Sequence, residues 1–277
     1  MSTRLALYSV SAVVLVGTAY SVVYGTYLDT SNPLLTHLPH PLGQTHYWAS
    51  KANPLNVYFI KKAWGWTSAA FLLAWATGPP STRTAARLTR WATATAIWLF
   101  FTAWFFGPAL LERIILVSGG ECVLALPSGD PISVPAEYCR MHTSVSPATH
   151  PALFASSSSF VLPQEWPGAT PRLRKGHDVS GHIFLLTLSV LLLAQQLGPS
   201  FSHTRWSPPH AAAVWANIAL IAIWLFASGT TSVYFHSPAE KITGYLLGLA
   251  CFVVAQIPGD LIYAVTTPTP REKPHSS

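Results

Sequence analysis

The stretch Ser180-Gly181-His182-Ile183-Phe184-Leu185-Leu186-Thr187-Leu188-Ser189-Val190-Leu191-Leu192-Leu193-Ala194-Gln195-Gln196-Leu197 carries no Asp, Glu, Lys or Arg and stops at the breaker Gly198-Pro199. Crossing about 30 Å of hydrocarbon takes roughly 20 mostly apolar residues. The run from His182 to Leu197 is shorter than that, so it must be flanked by protein or begin within the interface. Five more apolar runs share its character, at about residues 5–24, 57–77, 91–109, 211–228 and 242–262. The second ends at Gly78-Pro79-Pro80, and the third carries Trp91, Trp98 and Trp104. The first follows a lone Arg4, is long for a signal peptide and shows no Ala-x-Ala type cleavage site, so a retained helix is expected.

Composition agrees. The chain is 50% hydrophobic and only 9% charged, whereas a soluble domain carries about a quarter charged residues. Eleven Trp, ten Tyr and thirteen Phe suit a protein with aromatic belts at two interfaces. The net charge of +6 comes from basic residues scattered between apolar runs. No basic face forms, which argues against nucleic acid. The expected fold is therefore an all-α integral membrane protein, one polytopic domain over 1–277 with six transmembrane helices and both termini on one side.

Residues 113–179, between the third and fourth runs, are polar and rich in Pro and Ser, with Ser156-Ser157-Ser158-Ser159 of low complexity. Such a loop is either functional or partly disordered, and Leu124 to Val134 could hold a short hairpin. Cys122 and Cys139 in this loop could pair if it faces an oxidising lumen, while Cys251 reads as a packed thiol. Arg83, Arg87 and Arg90, with Arg271 and Lys273 in the tail, favour cytosolic termini under the positive-inside rule. Lys61, Lys62, Arg172, Arg174 and Lys175 oppose that vote unless some of them serve a site.

Two histidines stand at helix starts. In Gly176-His177-Asp178-Val179-Ser180-Gly181-His182, Asp178 or Ser180 can cap the helix and Gly181 admits close approach of a ligand. Free N–H groups there favour an anion, and His182 could protonate a leaving oxygen. In Tyr234-Phe235-His236-Ser237-Pro238-Ala239-Glu240-Lys241, the spacing of four puts His236 and Glu240 on one helical face. A carboxylate so placed fixes the imidazole tautomer and makes the other nitrogen a better nucleophile. One span down and one back brings both histidines to the same side. Taken singly, each is more often an interfacial anchor or cap; together they point to a site. His40, His46, His142 and His150 read as loop residues, with His203 and His210 on the opposite side. The residues suggest neither a metal nor any other cofactor.

These segments resemble the fat storage-inducing transmembrane family. Ser180-Gly181-His182 with Phe184-Leu185 is similar to one of its signatures, and Tyr234-Phe235-His236 with Glu240, Lys241 and Gly244 to another. Asn53-Pro54-Leu55-Asn56-Val57-Tyr58-Phe59-Ile60-Lys61-Lys62-Ala63-Trp64-Gly65-Trp66-Thr67 resembles its opening to the second span. Gly119-Gly120-Glu121-Cys122 and Tyr138-Cys139-Arg140 resemble its loop. The resemblance implies a bundle like that of the lipid phosphate phosphatases, in the endoplasmic reticulum membrane with its site lumenal. It implies cleavage of fatty acyl-CoA to acyl 4'-phosphopantetheine and adenosine 3',5'-bisphosphate, in support of lipid droplet formation. His236 would be the nucleophile, Glu240 its orienting carboxylate and His182 the general acid, with Ser180 and Gly181 at the phosphates. The lipid phosphate phosphatases carry an Arg six residues before the nucleophile, where this chain has Thr230. Another cation must serve, from Lys61, Lys62, Arg113, Lys175 and Lys241, with Lys61 preferred. Two other readings are a phosphatidic or lysophosphatidic acid phosphatase, and a non-catalytic binder of neutral lipid.

Overall fold

A computed structural model describes residues 2–28, 40–103, 109–128, 131–141, 143–155, 166–203 and 205–266. Trp104, His142, the run of serines at 156–159, Arg271 and Lys273 lie outside the described residues. Nine helices are described: α1 (Thr3–Val23), α2 (Ala63–Thr77), α3 (Ala85–Thr102), α4 (Leu110–Val117), α5 (Ala136–Met141), α6 (Pro151–Ala155), α7 (Gly181–Leu197), α8 (Pro208–Tyr234) and α9 (Pro238–Thr266). Three short strands join them: β1 (Glu121–Ala125), β2 (Pro131–Ser133) and β3 (Arg172–Arg174).

Helix α7 is the hub. It packs against α1, α2, α3, α8 and α9, and Ile183, Phe184, Leu186, Leu188 and Val190 to Leu193 along it are buried. Protein rather than lipid surrounds it, so its 17 residues need not match the hydrocarbon thickness on their own. Four helical segments are long and apolar enough to cross a membrane: α1, α7 with the turn that follows it to Ser202, α8 and α9. By length and composition the molecule is thus a helical integral membrane protein. α2, at 15 residues, falls short of that measure, and α3 carries Arg87 and Arg90 within its 18.

The helices alternate in direction about α7. At the end where α7 begins, α1 has finished and α8 hands over to α9: the Thr26 hydroxyl donates to the Val233 carbonyl (2.7 Å), and the Leu28 N–H to the Tyr234 carbonyl (3.1 Å). At the other end, His210 of α8 pairs with Thr77 of α2 (3.1 Å), and Arg87 of α3 with the Gln196 side chain of α7 (3.0 Å). α1 lies close on α8 because Gly17 has no side chain; a Cβ there would sit 2.7 Å from that of Ser232. Small residues permit such approach where lipid supplies no hydrophobic drive between helices.

The connection from α3 to α7 is more ordered than its composition suggests. β1 pairs antiparallel with β2, Leu124 opposite Ile132, where a hairpin was expected. β3 adds to the other edge of β1, Cys122 opposite Leu173. Cys122 and Cys139 form a disulfide inside a small core with Leu124, Val134 and Val145. Lys175 pairs with Glu121 (3.1 Å), and the His177 N–H donates to the Ser118 hydroxyl (2.6 Å). This small unit therefore sits at the end of the bundle where α7 begins.

Candidate active site

His236 occupies the break between α8 and α9 with φ +59°. A left-handed backbone at a non-glycine residue costs about 1–3 kcal/mol and persists where its surroundings over-determine it. The expectation that His236 and Glu240 share a helical face is corrected here. His236 precedes the helix, and the turn, not helical periodicity, brings the two together. Ser237-Pro238-Ala239-Glu240 is a capping box. Glu240 Oε2 accepts from the Ser237 N–H (2.8 Å), and the Ser237 hydroxyl accepts from the Glu240 N–H (3.4 Å). Pro238 fills the first helical position, where a missing N–H costs nothing.

Glu240 also ties α9 to α7. Its Oε1 accepts from the Asp178 N–H (3.3 Å), and its carbonyl from the Ser180 N–H (3.0 Å). Gly244 makes the approach possible, since a Cβ there would lie 2.5 Å from the Ser180 carbonyl oxygen. Of the two caps foreseen for α7, Ser180 is the one used, its hydroxyl accepting from the Ile183 N–H (3.4 Å).

The imidazole Nδ1 of His236 is buried, 3.5 Å from Glu240 Oε2 and 3.8 Å from Asp178 Oδ2. Both distances are charge contacts, longer than a hydrogen bond. Burial lifts the Asp178 carboxyl above its ordinary range, with His236 pulling the other way and Glu240 adding to the rise. Two carboxyls converge on Nδ1, and Nε2 is the ring nitrogen that neither of them faces.

A cavity of about 240 Å³ opens beside the ring. Lys51, Asn56, Lys61, Asp178, His182 and His236 line it, with Leu28 and Phe235. His182, His236 and Lys61 thus meet as expected, while Glu240 stands behind His236. Ser180 and Gly181 are not among the lining residues; Ser180 is fully buried in its capping role.

Lys51 and Asn56 were missed. A π-turn at Leu55–Phe59 and a 3-10 turn at Ile60–Lys62 precede α2, and such irregular turns recur at functional sites. Asn53 Oδ1 accepts from the Asn56 N–H (2.8 Å), and the Asn56 amide donates to the Lys51 carbonyl (2.6 Å). The sequence signal for both was the Lys51-to-Lys61 spacing across an Asn-Pro-x-Asn turn.

Three of the alternative cations are engaged elsewhere or lie off the cavity. Lys175 holds Glu121. Lys241 is fully buried, donates to the Ser21 hydroxyl and the Ser232 carbonyl (2.7 Å each), and lies over the Tyr27 ring. Lys62 does not line the cavity. The Thr230 hydroxyl donates to the Ala227 carbonyl of its own helix (2.9 Å).

His40, read from sequence as a loop residue, is buried against this site. Its Nδ1 accepts from the Leu42 N–H (3.0 Å), so Nε2 carries the proton and donates to the Tyr234 carbonyl (2.7 Å). Its ring meets Tyr234 and Phe235 edge-on. Burial lowers its pKa below the ordinary 6.5, which keeps it neutral. It braces the backbone that delivers His236.

The model of the family described as fat storage-inducing transmembrane protein matches residues 44–218 and 207–255, a range that contains every lining residue except Leu28. A Schizosaccharomyces pombe protein named acyl-coenzyme A diphosphatase is 29% identical over 209 residues, covering 74% of this chain and 70% of its own. A Danio rerio protein named acyl-coenzyme A diphosphatase is 29% identical over 209 residues, 73% of this chain and 70% of its own. A Sus scrofa relative, named fat storage-inducing transmembrane protein 1, is 26% identical over 227 residues, 75% of this chain and 65% of its own. No solved structure matches. With the family model spanning most of its length and the motif histidines gathered on one cavity, the chain belongs to the fat storage-inducing transmembrane family.

Proposed function

We propose that the protein is a fatty acyl-CoA diphosphatase of the endoplasmic reticulum membrane, releasing acyl 4'-phosphopantetheine and adenosine 3',5'-bisphosphate. The observation that carries this is one cavity lined by two histidines, two lysines, an asparagine and Asp178, with the buried carboxylate of Glu240 behind one histidine. His236 Nε2 attacks one phosphorus of the diphosphate and forms an N–P bond. The bond from that phosphorus to the bridging oxygen breaks, and His182 gives its proton to the leaving oxygen. Water, deprotonated by His182, then cleaves the N–P bond and regenerates His236. Glu240 and Asp178 stabilise the imidazolium through Nδ1. Both contacts would shorten to hydrogen bonds when substrate binds.

Lys61, Lys51 and Asn56 replace the clamp that the related phosphatases build from an arginine, and neutralise the charge on the phosphoryl oxygens. Ser180 fixes the start of α7, and the first-turn N–H at His182, which lines the cavity, supplies a backbone donor. Six spans follow if α2 and α3 also cross, α2 lengthened by the turns at 55–62, in a bundle like that of the lipid phosphate phosphatases. A disulfide at the same end as the cavity supports a lumenal site, since disulfides persist in oxidising compartments. α1 begins and α9 ends at the other end, so a lumenal site would go with cytosolic termini. The activity would support lipid droplet formation, with neutral lipids among the partners.

The test supplies oleoyl-CoA to purified protein and follows release of adenosine bisphosphate. His236→Ala should abolish turnover. Full turnover in that variant sinks the nucleophile assignment, and faster phosphate release from phosphatidic acid than acyl-CoA cleavage sinks the substrate assignment.

A further inference from the structure

A second hollow, of about 500 Å³, lies between α1 and α8 and is lined by Val13, Leu225, Phe226, Gly229, Thr230 and Tyr234 among others. Its width comes from Gly229, whose missing side chain leaves only Val13 Cγ1 (3.5 Å) near the Cβ position. Its walls are apolar. The Thr230 hydroxyl is consumed by the Ala227 carbonyl, and Phe226 is braced edge-on by Trp48 at 4.9 Å. This gives the departure at Thr230 a physical reason. That position faces an apolar slot rather than the His236 cavity, and a cation there would lose solvation for nothing.

The hollow and the cavity beside His236 are lined by consecutive residues of the chain. Tyr234 lines the hollow, and the next residue, Phe235, lines the cavity with Leu28. From Leu225 to Tyr234 the helix rises about 14 Å. We infer that this groove holds the fatty acyl chain, the pantetheine arm crossing the step at Tyr234–Phe235 while the diphosphate lies beside His236. The inference rests on the hydrolase reading above. A polar headgroup held in the cavity and an apolar tail held in a neighbouring groove is the arrangement in which binding energy from the remote part of a substrate drives chemistry at the other.

The experiment compares kcat/KM for oleoyl-CoA and butanoyl-CoA, because the short chain ends before the groove. Thr230→Trp fills the slot and displaces the tail, and each buried methylene is worth roughly fourfold in binding. Losing about two of them should lower the oleoyl-to-butanoyl ratio at least tenfold. Val254→Trp, on the exposed face of α9, adds the same bulk outside the groove and should leave the ratio as it was. Independently of folding in the Thr230 variant, oleoyl-CoA bearing a diazirine near the chain end should crosslink the unmodified protein at Val13, Leu225 or Phe226. A Thr230→Trp enzyme with an unchanged ratio, or labelling confined to other helices, overturns the groove while the hydrolase stands. If the unmodified protein cleaves neither substrate, the hydrolase reading fails and the groove assignment with it.

Discussion

Glu240→Gln separates two tasks carried by one carboxylate. As a cap, Glu240 accepts N–H bonds from Ser237 and Asp178. An amide keeps one acceptor oxygen, so one of those buried N–H groups loses its partner, at about 1–3 kcal/mol. Loss of negative charge at the start of α9 adds about 0.5–1 kcal/mol. As the partner of His236, its oxygen lies 3.5 Å from Nδ1. The Coulomb attraction to an imidazolium at that distance is on the order of 5 kcal/mol at an effective dielectric near 20. Asp178, at 3.8 Å, retains part of that attraction, so the transition state should lose about 2–4 kcal/mol. The expected fall in kcat is therefore about 30- to 1000-fold. Adenosine bisphosphate release measures the rate and melting in detergent measures the stability. Ser237→Ala removes the other half of the capping box at about 1 kcal/mol and leaves the carboxylate in place, so it should lower melting but keep kcat within a few-fold. Wild-type turnover in Glu240→Gln, or an equal loss of kcat in Ser237→Ala, refutes the partnership.

Three further outcomes are expected. Lys61→Met and Lys51→Met should each lower kcat/KM for oleoyl-CoA about ten- to a hundredfold, the worth of one charge-assisted contact. Kinetics that move for neither lysine would remove the clamp. His40 is held neutral, its folded pKa below 6.5, so its contribution is complete above that value and is lost as pH falls through it. Between about pH 7 and about pH 5 the unmodified protein should lose more melting temperature than His40→Gln, and equal losses would deny His40 its bracing role. Replacing Cys122 and Cys139 by Ser opens a loop of sequence separation 17, worth about 3 kcal/mol. Hydrogen exchange should then rise in β1 and β3 but not in α7, and uniform exchange across both would show that the small unit does not stabilise itself.

Local features were legible and closures over long distances were not. His182 and His236 announce themselves because each interrupts an apolar run at a helix start. The hairpin near Leu124 is a matter of adjacent residues, so sequence suffices for it. His40 meets the Tyr234 carbonyl across a sequence separation of 194, and no local pattern encodes that pairing. Lys51 was passed over for the same reason, since its place beside Asp178 depends on how the turns before α2 fold back. Lys175 and Lys241 show the converse. A sequence reveals which end a cation occupies but not that Glu121 or Ser21 already holds it. The misplacement of His236 onto a helical face was avoidable, because Ser237-Pro238-Ala239-Glu240 is itself a helix-start signature that puts residue 236 outside.

The buried ammonium of Lys241 has a consequence for how the protein is made. Its two partners are the Ser21 hydroxyl of α1 and the Ser232 carbonyl of α8, so the last helix is satisfied only by docking against the first. Synthesis delivers α1 long before α9, and until the final helix enters the bilayer that cation has no complete set of acceptors. A partly translated chain therefore lacks this anchor, and α1, α8 and α9 are tied together at Lys241 only when α9 has inserted.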